Sequence, residues 1–145
     1  MKFVVLANAA ATLFMCGAIW IIQSVHYNLF DRVGRDAFAA YEAAHTSLIT
    51  PIVGLPMLIE AVTALLLLFE RPPQVPALVP IIGFALVAVI WLSTLLLQIP
   101  QHNVLSGGYD EAAYRALIGT NWIRTLAWTV RGVLTLWMVA ALIAI

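Results

Sequence analysis

Four long runs of apolar residues alternate with short polar, Gly- or Pro-containing stretches along the chain. The runs cover about 3–26, 46–69, 75–98 and 121–145. Each reaches the ~20 mostly apolar residues needed to cross a bilayer as a helix. Charges gather between them: Asp31, Arg32, Arg35, Asp36 and Glu42 after the first, Glu70 and Arg71 after the second, Asp110, Glu111 and Arg115 after the third. The second connection, ERPPQVP, is short and Pro-rich, which makes helices two and three a tight hairpin. The pattern predicts an all-α polytopic membrane protein: one domain over 1–145, a four-transmembrane-helix up-down bundle with both termini on one side.

The two polar connections carry helical patterning of their own. Phe38, Tyr41 and His45 recur at i, i+3, i+7 within an Ala-rich stretch, the spacing of one helical face. After Gly107-Gly108, Asp110 is placed to cap a helix on which Tyr114, Leu117 and Asn121 share a face. Short helical extensions of helices two and four are therefore expected on one side. Interfacial helices lying along the headgroups fit the same pattern.

Composition agrees with the patterning and removes other classes. Of 145 residues, 63% are hydrophobic and 10% charged, against ~25% charged in a soluble domain. Lys plus Arg equals Asp plus Glu, 7 each, so there is no basic excess to neutralise phosphates and nucleic acid is not an expected partner. The lone Cys16 cannot form an internal disulfide. The first run is longer than a signal-peptide core, usually 7–15 residues, and reads as a retained span. The location that follows is a bacterial cytoplasmic membrane. Arg32, Arg35, Arg115 and Arg124, against Lys2 and Arg71 at the other end, put loops one and three in the cytoplasm.

Ionisable residues inside apolar runs cost ~2.5–3.5 kcal/mol to insert, so each calls for a reason. Glu60 lies midway along helix two, and Arg131 about ten residues, ~15 Å, into helix four. Counting inward from Thr46 and Asn121 gives them comparable depth, and a buried polar pair is expected, either register lock or functional site. His26, His45 and His102 all fall at helix ends on one membrane face. Three neutral imidazoles there are a hypothetical site for Cu, Fe or Zn, with haem a lesser option; interfacial histidines without a ligand are the plain alternative. Asn121, Arg124, Trp128 and Arg131 stack at i, i+3, i+7, i+10, a stripe able to grip a carboxylate, a quinone oxygen or a phosphate headgroup. Pro51, Gly54 and Pro56 predict a bent helix two with space beside it.

QSVHYNLF closing helix one, QIPQHNVL closing helix three and NWIRT opening helix four together resemble a family of four-span membrane proteins that includes the anthrone oxygenases. Members commonly have His-Pro after helix one and Asn-x-x-Arg-Thr at helix four; here Tyr27 follows His26. The resemblance implies oxidation of a polycyclic phenolic carbon by O₂ and carries over to His26, Asn103, Asn121, Arg124 and Thr125. Two functions are thus expected. One is an oxidoreductase or oxygenase acting on a lipophilic aromatic or quinone-like molecule, with His26, Asn121 and Arg124 catalytic. The other is a non-enzymatic anchor or accessory subunit, as a homo-oligomer or within a larger membrane complex.

Overall fold

The computed structural model describes residues 1–144. The described residues are helical or in short turns, with no strand. In chain order they form α1 (Lys2–Ile21), a π-helical turn (Ile22–His26), a 3₁₀ turn (Tyr27–Arg32), α2 (Arg35–Phe69), α3 (Leu78–Ser93), a second π-helical turn (Thr94–Gln98), α4 (Ile99–Leu105) and α5 (Glu111–Ile143). Four of the resulting rods are long and apolar enough to cross a membrane: Lys2–Arg32, Arg35–Phe69, Leu78–Leu105 and Glu111–Ile143.

Hydrogen bonds between rods fix their directions. Asn8 meets Thr63, Thr12 meets Glu60 and His26 meets His45, so α1 and α2 run antiparallel. Thr12–Arg131 and Gln23–Asn121 set α1 antiparallel to α5. Thr94–Arg124 and Gln98–Thr120 do the same for the third rod and α5. The short connections force this alternation.

The extensions expected of helices two and four are present: 35–45 and 111–120 continue without a break into α2 and α5. Ala-rich sequence supports the first extension, and Asp110 caps the second by accepting from the Ala113 N–H at 2.8 Å. The ends of the first and third rods depart from the expected boundaries, each with a local cause. At the end of α1, the Tyr27 N–H reaches back to the Ile22 carbonyl, and the Asn28 side chain donates to the Gln23 carbonyl at 2.9 Å; this widens the turn that carries Gln23 and His26. The third rod does not stop at 98. Pro100 lacks an N–H and sits in the first turn of α4, where none is needed. The π-helical turn just before it absorbs the mismatch and carries Thr94 and Gln98. Such single π turns recur at functional sites.

Along the bundle, apolar and polar layers alternate. Tyr27, Phe30, Phe38, Leu105 and Leu117 form an aromatic cap at one end. Met15, Ile19, Met57, Ile90 and Trp128 form a central layer, and Val5, Leu67, Val75 and Met138 close the far end. One polar layer separates each neighbouring pair. Along the first rod the order reads Val5, Thr12, Ile19, Gln23, Phe30, with every one of these side chains buried.

Candidate functional site

The layer between the centre and the far end is a closed network. Glu60 accepts from Thr12 and Arg131 Nε on one carboxylate oxygen, both at 2.8 Å, and from the Trp128 indole N–H on the other at 2.9 Å. Arg131 also donates to Thr12 and to the Gly83 carbonyl. Both charged side chains are essentially inaccessible, at 1% and 2%, and every polar atom of the pair has a partner. Asn8 closes the edge through Thr63.

The layer between centre and cap is built differently, around a cavity of about 460 Å³. Met15, Ile19, Val53 and Met57 supply apolar wall, Trp128 lies toward the central layer, and Tyr27, His45 and His102 lie toward the cap. Pro51 and Pro56 leave the carbonyls of Ser47 and Ile52 without their helical donors. The helix nevertheless continues through both, and Val53 and Gly54 between them line the cavity.

Arg124 enters from α5. Its Nε and one terminal nitrogen donate to Asn121 Oδ1, the former at 2.8 Å, and the other terminal nitrogen reaches Thr94 Oγ1 at 3.3 Å. Each nitrogen of the guanidinium thus has a partner, with the Tyr27 hydroxyl close by as a further acceptor, but among the described residues no carboxylate pairs with it. A nearly buried guanidinium on a cavity wall therefore stands without a counter-charge. The buried Trp91 indole N–H has no acceptor.

On the cap side, His102 Nδ1 lies 2.5 Å from Glu42 Oε1 and His102 Nε2 lies 3.0 Å from the Tyr27 hydroxyl. A carboxylate on Nδ1 orients the imidazole and leaves Nε2 as the acceptor, the arrangement that makes a histidine a directed base. Glu42 is fully buried, and its second oxygen has no partner.

The predicted residues separate into those that reach the cavity and those that do not. His45, His102, Asn103 and Arg124 line it. His26 does not; it stands behind His45, Nε2 to Nδ1 at 2.9 Å. Asn121 does not either. Its oxygen holds Arg124 and its nitrogen donates to Gln23 at 2.7 Å, so it positions the guanidinium and has no atom left for a substrate. Thr125 is buried, its hydroxyl bonded to the Asn121 carbonyl. The three imidazoles gather, with His45 and His102 ring centres 5.6 Å apart, but not as a metal-ligand set. Both nitrogens of His102 are held by Glu42 and Tyr27, and among the described residues no three His, Cys, Asp or Glu side chains are arranged to hold a metal ion.

Glu42, Tyr27 and Trp91 escaped the sequence reading. Glu42 had a signal: it is four residues after Phe38 and three before His45, on the buried face of α2 rather than in a loop. Gln98, which accepts from Ser93 and donates to Thr120, has the amide pattern of interhelical bonding and no more.

Outside the helices, Tyr109 has its phenol pushed up to about 12, by desolvation and by donating to Glu111 at 2.8 Å. No protein-family model, curated protein or solved structure matches this chain.

Proposed function

We propose that this chain is an integral membrane protein of four spans that binds a lipophilic, oxygen-bearing aromatic or quinone-like molecule in its cavity and moves a proton on it. Membrane insertion rests on the outer faces of the rods. Leu55 and Leu58 of α2, Leu92 and Leu96 of the third rod, and Val133 and Leu136 of α5 all stand exposed. In water such a surface would be an aggregation hazard; in a bilayer it is the solvated state. The charged side chains away from the two ends are Glu42, Glu60, Arg124 and Arg131, and all four are buried. At ~1.5 Å per residue α2 and α5 run ~50 Å, beyond the ~30 Å of hydrocarbon, so the cap stands in the headgroups and water. Arg32, Arg35 and Arg115 at that end orient it to the cytoplasm.

One observation carries the ligand: a buried guanidinium with no counter-charge on the wall of a mostly apolar cavity. An oxygen that gains negative charge during reaction is what such a group stabilises. Tyr27 and His102 line the same space with Glu42 behind His102, and a proton taken from a bound molecule by the Tyr27 oxygen is matched by transfer of the tyrosine's own proton to His102 Nε2. Proton removal from a phenolic or activated CH₂ carbon, with the resulting anion held by Arg124, prepares that carbon for oxidation by O₂. This is the reaction class of the anthrone oxygenases, whose motifs the chain resembles.

The test is quenching of the intrinsic tryptophan fluorescence (Trp91 and Trp128 line the cavity) by a lipophilic hydroxyquinone, with protein in nanodiscs. Oxygen uptake on an anthrone is the parallel assay. Arg124→Gln is expected to weaken binding by ~10–100-fold, the worth of ~1.5–3 kcal/mol for hydrogen bonds from a charged donor. His102→Gln is expected to abolish uptake while binding persists. Equal binding by Arg124→Gln would remove the reading and favour an anchor.

A further inference from the structure

The cavity is shut at both ends of the bundle axis. Toward the cap, Phe30, Phe38, Leu105 and Leu117 are fully buried against one another on the bundle axis, and the exposed Asn103, which also lines the cavity, extends its opening along the third rod. Toward the far end, the Glu60–Trp128–Arg131 network fills the cross-section.

The side between α2 and the third rod is different. Glu42–His102 joins the two rods near the cap and the 70–77 turn joins them at the other end. Between those points no hydrogen bond links residues 43–69 to residues 78–101 among the described residues. Cavity-lining residues on this side are also exposed on the outer surface: Thr50, Leu95 at 51% and Ile99 at 42%. Their outer neighbours, Leu48, Ile52 and Leu96, belong to the exposed apolar surface. A residue that lines a cavity and is itself half exposed marks the mouth of that cavity.

We propose that this mouth is a lateral portal to the hydrocarbon of the bilayer, and that the occupant is a single-tailed amphiphile. Its acidic or carbonyl head reaches Arg124, and its tail leaves between α2 and the third rod. The inference rests on the reading of Arg124 as the ligand's anchor and adds the route and the shape of the ligand. Arg124 lies deep and the mouth is mostly apolar, so a molecule that suits both has its polarity at one end. A tail through the mouth also covers Leu95 and Ile99, which a compact aromatic ligand leaves in contact with lipid.

Stearic acids carrying a nitroxide next to the carboxylate or near the tail end test this by electron paramagnetic resonance, with the full chain in phosphatidylcholine nanodiscs. The head-labelled probe is expected to show an immobilised component that Arg124→Gln removes, while the tail-labelled probe shows only the lipid-like spectrum. Gly54→Phe plugs the mouth from its α2 edge. A Cβ there meets no atom within 4 Å, and the variant should remove the immobilised component as well; Thr50→Trp is a second plug on an exposed position. Immobilisation at both label positions, or a head signal that survives both plugs but not Arg124→Gln, overturns the portal and leaves the cavity reading intact. A head signal unchanged in Arg124→Gln overturns both.

Discussion

Replacing Glu60 by Leu tests whether the second polar layer holds the helices together. In the wild type, one carboxylate serves three donors from two other helices: the Thr12 hydroxyl, Arg131 Nε and the Trp128 indole N–H. Leu leaves a guanidinium that is 2% exposed with no counter-charge, a loss of about 3–5 kcal/mol for a broken buried pair. Trp128 also loses its acceptor, for about 1–3 kcal/mol more. The membrane reduces the neutral part, because donors freed within a bilayer find other partners and such bonds average ~0.6 kcal/mol there. The charge part stays, since no other carboxylate pairs with Arg131. The expected loss is therefore about 3–5 kcal/mol, read as a shift in unfolding by dodecyl sulfate in mixed micelles. Glu60→Leu with Arg131→Met removes both charges and should recover most of it. The cycle isolates a coupling of at least ~2 kcal/mol between directly bonded groups. A single-variant loss under ~1 kcal/mol, or a double variant as unstable as the two singles added, would refute the reasoning.

Arg124→Lys keeps the charge but cannot make the forked contact to Asn121 Oδ1; binding of the hydroxyquinone should fall at least ~10-fold while unfolding shifts little, as fluorescence titration would show. Asp110→Ala removes the acceptor for the Ala113 N–H and should cost about 0.5–2 kcal/mol, with faster amide exchange confined to the first turn of α5. The Tyr109 phenol, held up at about 12, should stay protonated in near-UV absorbance titration after an unfolded tyrosine, at ~10, has ionised. Its contribution to stability is complete below the unfolded value and is lost as pH rises through about 12. Tyr109→Phe should flatten stability over that interval.

Periodicity made the four rods and their alternation legible, because apolar length is a direct physical requirement for a long buried or membrane-crossing helix. Rod ends were less legible. Pro100 reads as a stop, yet a π-helical turn one residue upstream lets the rod continue to Leu105, and nothing in QIPQHNVL announces that turn. Helical phase put Asn121, Arg124 and Trp128 on one stripe, and all three are buried. Phase alone could not say that Asn121 faces Gln23 and Arg124 while Arg124 faces the cavity. That division depends on which neighbouring helix stands at each angle. The histidines illustrate the same limit. Hairpin topology gathers helix ends, but Glu42 and Tyr27, not a metal, take the nitrogens of His102.

Buried polarity alone does not separate scaffold from site in a chain with so few charges; the completeness of its hydrogen bonding does. Glu60 and Arg131 satisfy each other, Thr12, Trp128 and Gly83, and leave no polar atom of the pair unpartnered. A layer of that kind gains nothing from a further ligand and would lose bonds to admit one. In the other layer Trp91 Nε1 and Glu42 Oε2 have no partner, and the buried Arg124 has no counter-charge. An unmatched buried group costs ~1–3 kcal/mol, more when charged, so this layer is the less stable of the two unless something completes it. The cavity lies at that layer and not at the other, where the space beside Arg131 amounts to about 10 Å³, room for one water at most. The uncompensated Arg124 charge and the available volume coincide at one level of the bundle, and a ligand bearing an acceptor oxygen answers both at once.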